Sequence, residues 1–132
     1  MKHFKDIKNK IKWEQYYNPD FDWNDIQFYE NFTFSEEFLN EFQDNVNLHL
    51  LITRQQIPEN ILYNFQLKFS KGNWLMISRY QKLSENFIRK FKDKVNWEYI
   101  SKYQTLSEDF KKELFQYYKE EFKKNCVLYE TF

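Results

Sequence analysis

Residues 74–96, WLMISRYQKLSENFIRKFKDKVN, run directly into a second version of themselves, WEYISKYQTLSEDFKKEL, which starts at residue 97. The step from Trp74 to Trp97 sets a period of 97 − 74 = 23 residues. Counted from each tryptophan, both copies carry Ile at +3, Ser at +4, Tyr at +6, Gln at +7, Leu at +9, Ser-Glu at +10 and +11, and Phe at +13. Such self-similarity marks a repeat architecture, in which no unit can bury its apolar face alone and neighbours must stack. Upstream, Trp23, Ile26 and Tyr29 lead to Phe34-Ser35-Glu36-Glu37-Phe38 with two extra residues before the serine. A further copy runs from Leu48 through Ile57-Pro58-Glu59 to Phe69, with about three extra residues before Trp74. The segment from Ile7 to Trp13 resembles that from Phe91 to Trp97, so the chain opens on the tail of a unit. One domain is expected, with units at 1–22 (partial), 23–47, 48–73, 74–96 and 97–132.

Each unit spells two short helices. At 100° per residue, positions 0, +3 and +6 share a face about 120° wide, and Phe87, Ile88, Phe91 and Val95 form a second apolar face. Ser35, Ser84 and Ser107 stand where an N-cap belongs, each followed by a glutamate that the helix dipole favours. Leu83 with Ile88, and Phe34 with Leu39, have the spacing of a hydrophobic staple. Pro58 takes the serine's place in one unit, and proline also opens helices. Asp22, Asn47, Asn73 and Asn96 are the expected caps of the first helices, with Asp20 in a turn after Pro19. The expected fold is all-α: a short helical-repeat array of about four helix-pair units forming one compact or slightly curved solenoid.

Composition agrees. Among 132 residues, 42% are apolar, 30% charged and 22% aromatic, enough to drive folding. With one glycine, a barrel, a sandwich or a phosphate-cradling loop lacks the special backbone angles it needs. No apolar run approaches the roughly 20 residues that span a bilayer, and the charged N-terminus has no apolar core behind it. Cys126 stands alone, which leaves no internal disulfide. These features point to a cytoplasmic protein without membrane contact. The net charge of zero hides a split: residues 1–66 hold six Lys/Arg against eleven Asp/Glu, and residues 67–132 hold fourteen against nine.

The pattern W-x-x-I-S-x-Y-Q-x-L-S-E-x-F-I-x-x-F-x-D-K-V-N-W resembles the repeat of tandem-repeat proteins from large DNA viruses, bacteriophages and bacteria. Residues 74–97 match it almost throughout, 97–110 in its first half, 23–46 loosely and 48–69 only in apolar spacing. The resemblance implies a viral or mobile-element origin, with the host cytoplasm as a place of action, and no particular activity.

Catalytic constellations are thin. His3 and His49 are the only imidazoles, and neither has a partnered nucleophile in sequence. Glu36-Glu37 and Glu120-Glu121 are adjacent helical residues that diverge by about 100° and form no dyad. Asp20, Asp22 and Asp25 lack the glycine and terminal glutamate of a calcium loop. No enzyme, metal or cofactor is expected. A binding function is: in one form, an acidic face of Asp20, Asp25, Glu30, Glu36, Glu37, Glu41 and Asp44 engages a protein partner. The narrowest version of that form is an inhibitor of a host CRISPR-type defence nuclease. The same face docking on a second copy would give self-association. In the alternative, a basic face of Lys71, Arg79, Lys82, Arg89, Lys90 and Lys102 contacts a protein or nucleic acid. Arg54, the only Lys or Arg between Glu14 and Glu59, is either an ion-pair residue or a contact residue. Tyr29, Tyr80 and Tyr103 at +6 are packing residues with solvent-facing hydroxyls or a stacking ladder for bases. Specificity is expected at repeat positions +1, +2, +5 and +8.

Overall fold

A computed structural model describes residues 12–124 of the chain, with side chains to residue 116. Among the described residues there are eight α-helices and no strand: α1 (Ile26–Asn31), α2 (Glu36–Glu41), α3 (Leu48–Arg54), α4 (Glu59–Asn64), α5 (Lys71–Tyr80), α6 (Glu85–Lys90), α7 (Trp97–Tyr103) and α8 (Glu108–Lys124). Short 3-10 turns lie at Glu14–Tyr17 and Gln66–Lys68. The array is all-α, as expected. The first helices of successive pairs, α1, α3, α5 and α7, pack one upon the next in chain order. Helices of six or seven residues have too few internal bonds to persist alone, so this stacking is what holds them. The second helices bury the same pair of positions, Phe38 and Leu39, Ile61 and Leu62, Phe87 and Ile88, in a core that runs unbroken from Trp13 to Leu114.

Capping serines act as the sequence indicates: Ser35, Ser84 and Ser107 accept the backbone N–H of Phe38, Phe87 and Phe110. Asn47 and Asn96 likewise cap α3 and α7. Two expected caps are corrected. The Asp22 carboxylate accepts the N–H of Asn24 within a turn, and Asp25 caps α1. Ser70 caps α5, while Asn73 closes the box from inside the helix. Asp22 cannot cap because the first unit starts two residues later than the tryptophan alignment places it. The extra residues lie ahead of α1, not ahead of Ser35.

The indole compensates for that shift. Trp23 sits 6.2 and 5.3 Å, centroid to centroid, from Phe38 and Phe42. Trp74 sits 6.3 and 5.2 Å from Phe87 and Phe91, with closely similar tilts. The same ring fills the same slot from two different backbone positions.

The helices end without glycine: no described residue has a positive φ. Carbonyls at a helix C-terminus have no partner of their own and are commonly served by a left-handed glycine cap. Here the glutamine at +7 of the following unit serves them. The Gln55 amide donates to the carbonyls of Tyr29 and Phe32 at 2.6 and 3.1 Å. Gln81 donates to Ile52 and Gln55 at 2.7 and 2.6 Å, and Gln104 to Ser78 and Gln81 at 2.9 and 2.7 Å. The return bonds run from the N–H of Ile57 to Gln81 Oε1 and from that of Leu83 to Gln104 Oε1. Each glutamine is itself the C-cap of its own first helix, so the three form a ladder through the stack. The equivalent C-cap in the first unit is Phe32, whose ring lies 4.7–4.9 Å from those of Phe28, Phe34 and Phe38.

A second ladder links the helix pairs. Both Glu59 oxygens take the N–H and hydroxyl of Ser84, and both Glu85 oxygens take those of Ser107. Pro58 has no N–H to offer Glu36, which accepts from Asn64 Nδ2 instead. A third contact ties each first helix to the next cap: the Asn96 N–H donates to Ser78 Oγ, and that of Asn47 to the Tyr29 hydroxyl. Tyr29 is therefore wholly buried, its hydroxyl donating to the Trp23 carbonyl, which corrects its expected solvent-facing role. In the middle unit the matching residue is Ile52. No hydroxyl is needed there, because Ser70 already satisfies the Asn73 N–H.

Candidate functional site

Internal contacts engage most of the expected acidic face. Glu30 pairs with Arg54 at 3.6 Å, Asp44 with Lys68 at 2.8 Å, and Glu41 accepts the Tyr17 hydroxyl at 2.7 Å. Glu36 is taken by Asn64 and Asp25 by its own helix. Asp20 is exposed in a turn whose N–H bonds the Asn18 side chain, and Glu37 is exposed in the first turn of α2. Arg54 makes an ion pair, one of the two roles its position allowed.

The basic residues divide. Arg89 makes a two-pronged contact with Glu113 and a further bond to Asn86. The Glu113 hydrogen bond, ahead of its charge, raises the Arg89 pKa, while the same bond holds the Glu113 carboxyl below its ordinary range. This cation is engaged internally. Lys71 at the start of α5, Lys82 in the loop behind it and Lys90 at the end of α6 are exposed, without an ion pair among the described residues.

Arg79 and Lys102 are brought together, and with them three tyrosines. The Arg79 guanidinium carbon lies 4.9 Å from the ring centroid of Tyr80, 5.1 Å from that of Tyr103 and 6.0 Å from that of Tyr99. Lys102 Nζ lies 5.5 Å from the Tyr103 centroid, and the Tyr99 and Tyr103 rings meet edge to face at 5.4 Å. Tyr80 and Tyr103 remain 40% and 42% exposed, so this is open surface rather than core. The repeat builds it: cations stand at +5 and tyrosines at +6 in both the 74 and 97 units, and stacking α5 on α7 makes them neighbours. Tyr99, at +2, was not among the singled-out residues. The signal for it lay in the variable positions, which face the same side as +5.

Arginine is rare here, and the three differ. Arg54 and Arg89 have carboxylate partners, whereas Arg79 has none among the described residues. Its guanidinium lies among the three rings, and with no carboxylate partner described its N–H donors can still take an oxyanion. Tyrosine and arginine together are also the side chains that dominate protein interfaces energetically.

His49 is exposed on α3, while His3 and Cys126 lie outside the described residues. No cluster of His, Cys, Asp and Glu suited to a metal occurs among the described residues, and no helix there is long and apolar enough to cross a membrane. Compared with known protein families, curated proteins and solved structures, the chain finds no match.

Proposed function

We propose that the chain is a non-catalytic binding module that holds a protein partner through the Arg79–tyrosine surface. The observation that carries the reading is Arg79 itself, at +5, the one arginine with no described carboxylate, framed by three tyrosine rings at the +2 and +6 positions. A viral or mobile-element protein acting on a host defence nuclease through its acidic face is a narrower form of the reading. It has less support, because Glu30, Glu36, Glu41 and Asp44 already serve internal bonds.

Exposed tyrosines beside cations also suit a single-stranded nucleic acid, on which bases stack. Arg79 already covers the Tyr80 and Tyr103 rings, which weighs against that reading. The test sets wild type beside an Arg79→Ala/Tyr103→Ala double variant of unchanged circular dichroism. A cellular protein retained by wild type and lost from the variant, then shown to bind purified chain, supports the proposal. Oligonucleotide binding that weakens steeply between about 50 and 200 mM salt and depends on the same residues replaces it with the nucleic-acid reading.

A further inference from the structure

We infer that a groove at the head of α5 and Arg79 at its tail form one elongated site, which takes an extended segment of a protein partner carrying a large apolar side chain and, about three residues further, a carboxylate. This rests on the protein-binding reading of Arg79.

The groove exists because one connector is longer than the others. Phe65 to Trp74 spans nine steps, against six from Phe42 to Leu48 and six from Phe91 to Trp97. The additional residues form the 3-10 turn Gln66–Lys68 and start α5 a turn early, opening a cavity of about 850 Å³ between 66–75 and 93–96. Trp74 and Val95 are buried in its lining, and Phe69 stands edge-on to Trp74 at 5.5 Å. Two features of this groove have no use within the fold. Leu67 is 95% exposed, where no other exposed large apolar residue among those described exceeds 46%. Gly72, the only glycine of the chain, sits inside α5 without a positive φ, and an added Cβ would meet nothing nearer than Ser70 Oγ at 3.8 Å. Neither backbone angle nor crowding requires it, although glycine weakens a helix. What it does is leave the groove wall bare.

Charge names the occupant. The groove is edged by Lys71 and Lys94 against Asp93, and neither lysine has an ion pair among the described residues. Gly72 and Arg79 are seven residues apart, two turns along one face of α5, or about 10 Å. Three residues of extended peptide cover about the same distance at roughly 3.3 Å each. An apolar side chain in the groove therefore places a carboxylate near the Arg79 guanidinium, with Lys71 and Lys94 against Asp93 at one end of the path and Lys102 beside Arg79 at the other.

Random peptides displayed on phage are selected on the immobilised full chain, and the winners are measured by fluorescence anisotropy. The expected winners carry an apolar and an acidic residue three apart. Gly72→Gln, Leu67→Ser and Arg79→Ala are each expected to weaken them about tenfold or more, the scale of one lost anchor. Circular dichroism and melting are recorded for every variant, and the fully exposed Leu67 serves where Gly72→Gln perturbs the helix. Winners that need Arg79 but ignore Gly72 and Leu67 overturn the groove and leave the protein-binding reading standing. Winners indifferent to Arg79, or no winners at all, overturn both.

Discussion

A single amide side chain can settle three buried backbone groups at once, and Gln81 does so. It is 1% exposed, donates to the carbonyls of Ile52 and Gln55, and accepts from the N–H of Ile57. Gln81→Ala leaves these groups without partners and is expected to cost about 3 kcal/mol or more, read as a lower urea midpoint. Tyr29 is the second such residue. Tyr29→Phe strands the Asn47 N–H and should cost about 1–3 kcal/mol. Its pH dependence has a definite sign. Burial raises the Tyr29 pKa above its ordinary 10.0, against a smaller lowering by the Asn47 hydrogen bond, and the charge of Asp22 adds a lesser raise. The folded state thus keeps the proton longer than the unfolded one. The associated stability is complete below pH about 10 and drains away as pH climbs through the folded value. Urea midpoints measured across the alkaline range should show this limb in wild type and a shallower one in Tyr29→Phe, the remainder coming from Tyr16, whose pKa burial also raises. Gly72→Ala is expected to gain about 0.4–1 kcal/mol in the same assay, because the site accepts a Cβ and the unfolded chain loses freedom. A loss of stability would mean that the glycine has a structural duty.

At the scale of elements, the helix pairs were legible because their signals are local: an apolar period, a capping serine, a glutamate behind it. Leu83 and Ile88 are both buried as a staple requires. The start of the first unit was not legible. Trp23 reaches the shared slot from a backbone position two residues early, so counting from tryptophans puts Tyr29 at +6 when it occupies the buried place of Ser78. The glutamine ladder was also hidden. Gln at +7 is visible as a shared letter, but which carbonyls it serves depends on atoms more than twenty residues away in sequence. The long-range part of each cap can be measured by comparing two serines. Ser84→Ala removes a cap and the Glu59 bond, while Ser35→Ala removes the cap alone among the described contacts. Each cap is worth about 1 kcal/mol, and Ser84→Ala should exceed Ser35→Ala by the worth of the link to the neighbouring unit. Equal losses in thermal or urea melts would leave that link without energetic weight.

For the whole molecule, a stack in which units touch only their neighbours makes the place of a lesion matter as much as its size. Phe110 is 1% exposed in the last pair, and Phe110→Ala should cost about 3–5 kcal/mol locally. With a total of roughly 5–15 kcal/mol, the last pair is then expected to fray first, giving a lower m-value or a broadened transition. Ile77→Ala, at a wholly buried site on α5, should instead shift one sharp transition. The candidate site was partly legible at this scale. Arg79, Tyr80, Lys102 and Tyr103 were singled out from their positions, while their convergence follows from the stacking of α5 on α7. The split of charge between the halves was visible as a sum. What the sum concealed was its internal use, through Arg54, Lys68 and Arg89. The glutamines, finally, engage only main-chain groups of the preceding unit, carbonyl oxygens that every amino acid supplies and an N–H that all but proline supply. A newly duplicated module would meet a receptive neighbour whatever side chains either had since acquired. Lengthening by copying, and drift of the outward positions toward new partners, are therefore separable events in the history of such a chain.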